Sequence, residues 1–134
     1  RGFLYALGGE GAVGSFLGTV EGLDPEKQSW SAVLPMPTPR AFLAAAADVG
    51  CLHTLGGFND SFSPLATVER LDPTEGAWSI VEPMPAPRAG LAAAVLGGYL
   101  YVLGGTGKGR SFLTTAERLD PAAGSWSTEA ATKA

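Results

Sequence analysis

The side chains that could do chemistry in this chain are few, and most of them recur at a fixed spacing. Three glutamates and two arginines each return after 48 residues: Glu21, Glu69 and Glu117, and Arg40 and Arg88. Paired carboxylates can serve acid–base catalysis, but a single active site has no use for the same acid three times. We therefore predict that the glutamates belong to the scaffold. Each arginine is predicted to bind loop carbonyls or a glutamate of its own repeat, with ligand binding as the alternative.

The remaining reactive side chains form no recognisable catalytic or metal-binding motif. His53 and Cys51 occupy positions where the third copy has Tyr101 and Tyr99, so both are expected to be packed structural residues. One cysteine and one histidine two positions apart cannot complete a zinc site. Neither a nucleophile elbow nor an HExxH or P-loop motif occurs. The sequence predicts a protein that is not an enzyme and uses no cofactor and no metal.

The composition argues against nucleic acid and membrane as partners. Nine basic residues against thirteen acidic ones give a net charge of -4, whereas a phosphate backbone favours a basic surface. The 17-residue apolar run 89–105 contains Gly97-Gly98 at its centre, which predicts a hairpin of buried strands and no membrane insertion. A lone cysteine excludes an intrachain disulfide and leaves the redox compartment open. The sequence does not assign a localisation, and we expect the cytoplasm by default.

The whole chain is organised by the 48-residue period. Each copy carries a glycine pair, an Asp-Pro and a tryptophan: Gly8-Gly9, Asp24-Pro25 and Trp30; Gly56-Gly57, Asp72-Pro73 and Trp78; Gly104-Gly105, Asp120-Pro121 and Trp126. Longer segments also return, since 67–73 matches 115–121 and 34–41 matches 82–89. A period of this length indicates a repeat architecture.

One period predicts four short antiparallel strands, called a to d. In the third copy, strand a is the alanine-rich run 88–96 and strand b is the aromatic run 99–103. Strand c covers 114–119, and strand d begins at Trp126 after a turn. A helix is the alternative for the alanine run, but flanking proline and glycine disfavour it. Small residues suit the narrow inner edge of radially arranged sheets, and tryptophan suits the wide outer end.

These marks resemble the Kelch repeat: a strand ending in Gly-Gly, then Glu-x-Leu-Asp-Pro, Gly-x-Trp and Pro-Met-Pro-x-x-Arg. The chain departs from the family where most copies have tyrosine, at Leu23, Leu71 and Leu119. The resemblance implies an all-β fold, a partial Kelch β-propeller of about three four-stranded antiparallel blades, with the first blade lacking its innermost strand. The expected repeats are 1–36 (partial), 37–84 and 85–134, which together form one propeller segment.

Three blades are fewer than the roughly four to eight that close a propeller ring. Three explanations are open. The chain is part of a longer propeller, it pairs with a second copy to complete the ring, or it docks as an open arc on another protein. The expected partners are therefore a protein, further blades from the same parent, or a second copy.

Function is expected where the copies differ, in the loops between strands b and c. These loops are 10–16, 58–64 and 106–112, and they differ in charge. By resemblance to Kelch proteins, they form one mouth of the ring together with the d–a loops, where partner peptides bind. The candidate partner-binding residues are Arg40, Arg88, Phe58, Asn59, Asp60, Phe62, Lys108, Arg110 and Phe112. The alternative for Phe16, Phe62 and Phe112 is that each packs its own loop onto the blade.

The predicted function is a non-catalytic protein–protein interaction module that binds a partner polypeptide through its b–c and d–a loops. One alternative is a fragment of a Kelch-type enzyme, galactose oxidase-like or sialic-acid-processing, whose catalytic residues lie outside this chain. Another is a structural subunit of a larger assembly, which would bury apolar loop tips in a large permanent interface.

Overall fold

The computed structural model of this protein describes residues 2–48, 50–131 and 133, and contains eleven strands in three antiparallel sheets. The first sheet has β1 (Leu4–Leu7), β2 (Val20–Asp24) and β3 (Ser29–Val33). The second has β4 (Ala44–Asp48), β5 (Cys51–Leu55), β6 (Val68–Asp72) and β7 (Ala77–Val81). The third has β8 (Ala92–Leu96), β9 (Tyr99–Leu103), β10 (Ala116–Asp120) and β11 (Ser125–Thr128).

Strands are hydrogen-bonded in chain order within each sheet, so each sheet is one blade built by successive hairpins. The sequence prediction of an all-β fold with a three-stranded first blade and two four-stranded blades is confirmed. The alanine-rich runs are strands β4 and β8 and not helices. The predicted repeat boundaries at 36/37 and 84/85 fall between sheets and remain predictions. The described residues contain no helix that is long and apolar enough to cross a membrane.

The turn between strands c and d explains why Asp-Pro recurs. In the second blade, the Asp72 carboxylate accepts hydrogen bonds from the backbone amides of Thr74 (2.9 Å) and Glu75 (3.3 Å). Gly76, with φ of +67°, closes the turn by donating its amide to the Asp72 carbonyl. The same aspartate contacts occur in the other two blades.

The core lies between blades and is closed at its outer end by tryptophan. The central cluster contains Leu55, Val68, Met84, Leu91, Leu100, Val102 and Leu119. Trp126 packs against this cluster, and its indole Nε1 donates to the Glu82 carbonyl of the preceding blade at 3.0 Å. Trp78 makes the same bond to the Leu34 carbonyl at 2.8 Å. The predicted role of tryptophan as an anchor between sheets is confirmed for these two residues.

The glycine pairs allow the strand b ends to approach the d–a segments. A Cβ on Gly57 would lie 2.6 Å from the Ala41 carbonyl oxygen, and one on Gly105 would lie 2.7 Å from that of Ala89. Both glycines also have φ above +90°, a conformation that other residues rarely adopt. Close backbone approach and positive φ therefore require glycine at these positions, as the sequence predicted.

Candidate functional site

The repeated arginines are buried inside the blades. Arg88 Nη1 donates to the carbonyls of Gly104 (2.9 Å) and Thr115 (3.0 Å). Its Nη2 donates to Thr115 Oγ1 (2.7 Å) and Glu117 Oε1 (2.8 Å). One side chain thus joins the end of strand b to strand c, and the buried carboxylate of Glu117 receives its counter-charge from within the blade.

The second blade repeats this arrangement around Arg40. Arg40 Nη1 donates to the carbonyls of Gly56 (2.8 Å) and Thr67 (3.0 Å), and Nη2 lies 3.0 Å from Glu69 Oε1. The other carboxylate oxygen of Glu69 accepts a hydrogen bond from Thr38 Oγ1 at 2.7 Å. Burial lowers the pKa of Arg40, and the charge of Glu69 opposes that shift.

These contacts decide between the two roles that the sequence allowed for the arginines. Both residues are 0% exposed, so neither guanidinium can contact a partner in this structure. Their Nη1 and Nη2 atoms contact the carbonyls and the glutamate of their own blade, which agrees with the structural role that the sequence predicted. Arg40 and Arg88 are therefore removed from the candidate binding surface.

The b–c loops and the adjoining residue Phe42 lie at one end of the blades, which we call the loop face. Four phenylalanines on this face contact each other in series. The Phe42 and Phe58 ring centroids are 6.0 Å apart, those of Phe58 and Phe62 are 6.0 Å apart, and those of Phe62 and Phe16 are 5.2 Å apart. We call Phe16, Phe42, Phe58 and Phe62 the aromatic strip. It joins the loops of the first two blades.

The phenylalanines of the loop face differ in exposure. Phe16 is 8% exposed, and Phe62 of the second loop lies against it. Phe42 is 55% exposed, Phe62 is 62% exposed and Phe112 is 88% exposed. The alternative that each phenylalanine packs its own loop onto the blade therefore does not describe Phe62 or Phe112. Together with Phe42, these two residues present large apolar areas to solvent.

Four exposed side chains of the loop face are held on a left-handed backbone. The φ angles are +60° at Val13, +58° at Phe42, +54° at Phe62 and +60° at Arg110. Val13 lies outside the aromatic strip. The 48-residue spacing aligns Phe42 with Gly90. Phe62 and Arg110 both align with Gly14. The two glycines also have a positive φ. A residue with a Cβ costs about 1–2 kcal/mol in this conformation. The loops keep bulky side chains where glycine would be less strained.

A cleft of about 210 Å³ separates the loops of the second and third blades. Phe58, Phe62 and Pro64 line one side, and 106–107 with Gly109 and Arg110 line the other. Lys108 and Arg110 are exposed on the third loop, which has no acidic residue. The cleft thus has an aromatic wall and a cationic wall, in a chain whose net charge is negative.

The two polar candidates of the second loop have different environments. Asn59 Oδ1 accepts hydrogen bonds from the backbone amides of Ser61 (3.0 Å) and Ser63 (3.1 Å), so its side chain orders the loop. Asp60 is exposed at the loop tip. Of this pair, Asp60 has the side chain that is open to a partner.

His53 and Cys51 lie on β5 and are both buried. Burial lowers the pKa of His53, the positive charge of Arg70 lowers it further, and Asp48 opposes the shift. Within the part of the chain that the structure describes, no three histidine, cysteine or acidic side chains are grouped to hold a metal ion. Both residues are packed strand residues, as the sequence predicted.

Sequence reasoning missed Phe42 as part of this surface. The signal was available in the aligned copies, because Ala41-Phe42-Leu43 corresponds to Ala89-Gly90-Leu91. The left-handed backbone of this turn favours glycine, so the turn itself does not explain an exposed phenylalanine at Phe42. Only the structure showed that Phe42 reaches Phe58 across the d–a connection.

Comparison with known proteins agrees with the fold and the repeats. The family model of the Kelch motif matches residues 39–85 and 87–131, which is more than half of the chain. The chain therefore belongs to the Kelch family and is a segment of a β-propeller. No curated protein sequence matches it.

Among solved structures, the chain is similar to that of YjhT, with a TM-score of 0.79 and 20% sequence identity. The match covers 98% of this chain and 49% of the YjhT chain, so this chain spans about half the length of that relative. YjhT is one of 156 matching chains. At this identity the likeness shows the fold alone.

Proposed function

We propose that this chain is a protein interaction module, a Kelch propeller segment that binds a partner polypeptide through its loop face without catalysing a reaction. The observation that carries the proposal is that three exposed side chains on a left-handed backbone, Phe42, Phe62 and Arg110, belong to the aromatic strip or line the cleft. Backbone strain of this kind is concentrated at functional sites, because only a gain elsewhere offsets its cost. Here it falls at positions where sister copies have glycine.

The chemistry of the loop face favours a peptide with an apolar side chain next to a carboxylate. Exposed aromatic rings and arginine are the side chains that most often dominate protein interfaces. Phe58 and Phe62 would contact the apolar group, and Arg110 would bind the carboxylate, with the exposed Lys108 beside it in the same loop. The cleft of about 210 Å³ is smaller than the roughly 300–1,000 Å³ of small-molecule sites. Its size favours the insertion of one side chain over the enclosure of a substrate.

The experiment is the selection of binders from a random peptide library, followed by affinity measurement by fluorescence anisotropy. The double variant Phe62→Gly/Arg110→Gly places glycine, which suits the left-handed backbone, at both positions and removes one large side chain from each wall of the cleft. We expect selected peptides to pair an apolar residue with an acidic one, and to bind the double variant at least tenfold more weakly, a loss of about 1.4 kcal/mol.

Val13→Gly is the matched control. Val13 also has a positive φ (+60°) and a fully exposed side chain, but it lies on the first loop, outside the aromatic strip and the cleft. This variant should bind the selected peptides with unchanged affinity. Peptides that bind the double variant as tightly as the unsubstituted chain would refute the loop face as the binding surface.

A further inference from the structure

Strand b of the second blade differs from strand b of the third at two positions on one side of the sheet. These positions hold Cys51 and His53 on β5, and Tyr99 and Tyr101 on β9. In the third blade, the Cζ atom of Arg118 lies 4.2 Å from the centroid of the Tyr99 ring. Arg70 is the counterpart of Arg118 in the second blade, and Cys51 takes the place of that ring. The guanidinium of Arg70 therefore lacks the aromatic partner that its counterpart has.

The smaller side chains lie where the second blade faces the third. Leu55 is on the same side of β5 as Cys51 and His53, and it belongs to the core cluster that packs between these two blades. Two hollows of about 280 and 100 Å³ adjoin on this side and share four lining residues. The larger hollow is lined by Asp48, Cys51, His53, Arg70, Val81 and Pro121. We call the two hollows together the interblade crevice.

The interblade crevice contains polar groups without partners. His53 is 2% exposed, and its Nδ1 atom has no hydrogen-bond partner among the described residues. Asp48 and Arg70 are half-buried, and neither forms an ion pair with any residue that the structure describes. Both charges act on the imidazole, since Arg70 lowers the pKa of His53 and Asp48 raises it. A ligand that satisfies these groups would remove the cost of leaving them unpaired.

The charges of the crevice favour a ligand that carries both signs. A guanidinium binds a carboxylate through two parallel hydrogen bonds, and a carboxylate accepts hydrogen bonds from an ammonium group. A simple anion would meet the like charge of Asp48, and a simple cation would meet that of Arg70. Burial keeps the His53 imidazole neutral at pH 7 by lowering its pKa, so the ring offers one donor and one acceptor.

The size of the crevice favours a small ligand. Its larger hollow of about 280 Å³ lies below the roughly 300–1,000 Å³ of sites for drug-sized molecules. Val81 and Pro121 give this hollow an apolar wall beside its charged groups. A ligand that fits has two charged groups close together and a short apolar portion.

We infer that the interblade crevice binds a small zwitterion of the α-amino acid class. The ligand carboxylate binds Arg70, and its ammonium group binds Asp48. Its side chain contacts Val81 and Pro121, and His53 Nδ1 makes one further hydrogen bond to it. This inference does not depend on the loop face, because β5 begins at Cys51 in the crevice and the b–c loop follows its opposite end.

The test is isothermal titration calorimetry of the chain with a panel of free L-amino acids. The member that binds best is then compared with its N-acetyl derivative, which lacks the ammonium charge, and with its amide, which lacks the carboxylate. We expect each derivative to bind at least tenfold more weakly than the free amino acid. Arg70→Met and Asp48→Asn should each weaken the free amino acid by a similar factor.

The variant Cys51→Tyr/His53→Tyr places the residues of the third blade in the second and should abolish binding by filling the crevice, while circular dichroism verifies its fold. Arg118→Met, at the aligned position of the third blade, is the matched control and should bind like the unsubstituted chain. The Phe62→Gly/Arg110→Gly variant should also bind normally, so failure here and failure of the loop face are distinguishable.

Three results would each overturn the inference. The first is that no member of the panel binds. The second is that a derivative lacking one charge binds as tightly as the free amino acid, a comparison that uses only the unsubstituted chain. The third is that Arg70→Met keeps full affinity.

Discussion

The interior of the blades and the loop face differ in how their arginines are placed: those of the interior are buried and hydrogen-bonded, and the one on the loop face is exposed on a strained backbone. In the interior, the fully buried Arg88 has donors bonded to two carbonyls, a hydroxyl and a carboxylate of its own blade. On the loop face, Arg110 is exposed and sits on a left-handed backbone where the first copy has glycine. In the interior, arginine holds strands together. On the loop face, Arg110 is present although its left-handed backbone raises the free energy of the folded state.

This difference teaches how a repeat protein divides structure from recognition. The arginines and glutamates that recur in the second and third blades have partners inside their own blade, and most of their contacts are the same in both. On the loop face, Phe42, Phe62 and Arg110 stand where another copy has glycine, and Phe42 and Phe62 contact rings of other segments. Substitutions in the two regions should therefore change different properties: stability in the interior, and binding on the loop face.

The largest effect is expected for Arg88→Met. The substitution leaves the Glu117 carboxylate buried without its counter-charge, which costs about 3–5 kcal/mol of unfolding free energy. Urea denaturation followed by circular dichroism measures the loss. The double variant Arg88→Met/Glu117→Leu should recover much of it, because no buried charge is then left unpaired.

The control is Lys27→Met, which removes a surface pair with Asp24 in which the lysine side chain is 79% exposed. A surface pair of this kind contributes about 0–1 kcal/mol. If Arg88→Met cost no more than Lys27→Met, the interior contacts described here would not stabilise the blade.

A smaller effect is expected for Trp78→Phe. The change keeps most of the aromatic volume but removes the indole donor that binds the Leu34 carbonyl of the preceding blade. One such hydrogen bond contributes about 1 kcal/mol, measured by the same denaturation. Trp30→Phe is the comparison, since Trp30 is 50% exposed and its indole has no acceptor within the described residues. Equal losses at both positions would contradict a role for the bond between blades.

The sequence predicted the fold well because its three copies can be aligned with one another at a 48-residue spacing. Glycine pairs, Asp-Pro turns and tryptophans at one spacing fix where strands end, and these are local consequences of backbone chemistry. The pairing of Arg88 with its own blade was also predictable, since a repeated buried charge needs a repeated partner.

The loop face was less predictable because its contacts cross from one copy to another. The contacts of Phe62 with Phe16 and of Phe42 with Phe58 depend on how neighbouring loops and connections lie against each other. The alignment of Phe42 with Gly90 marks the residue, but the local pattern carries no information on which ring it contacts, and the exposure of Phe112 was left open. The positive φ at Arg110 follows from its alignment with Gly14, a comparison that becomes informative once the backbone is known.

The central claim is that the strained residues of the aromatic strip and the cleft serve recognition, and its most direct test is a paired measurement on Arg110→Gly. Its unfolding free energy should rise by about 0.5–1 kcal/mol, because the relief of roughly 1–2 kcal/mol of left-handed strain is partly offset by the greater freedom of glycine in the unfolded chain. Its affinity for library-selected peptides should fall about tenfold. Val13→Gly should show the same gain in stability with unchanged affinity. Arg110→Gly with lower stability and full affinity would contradict the account.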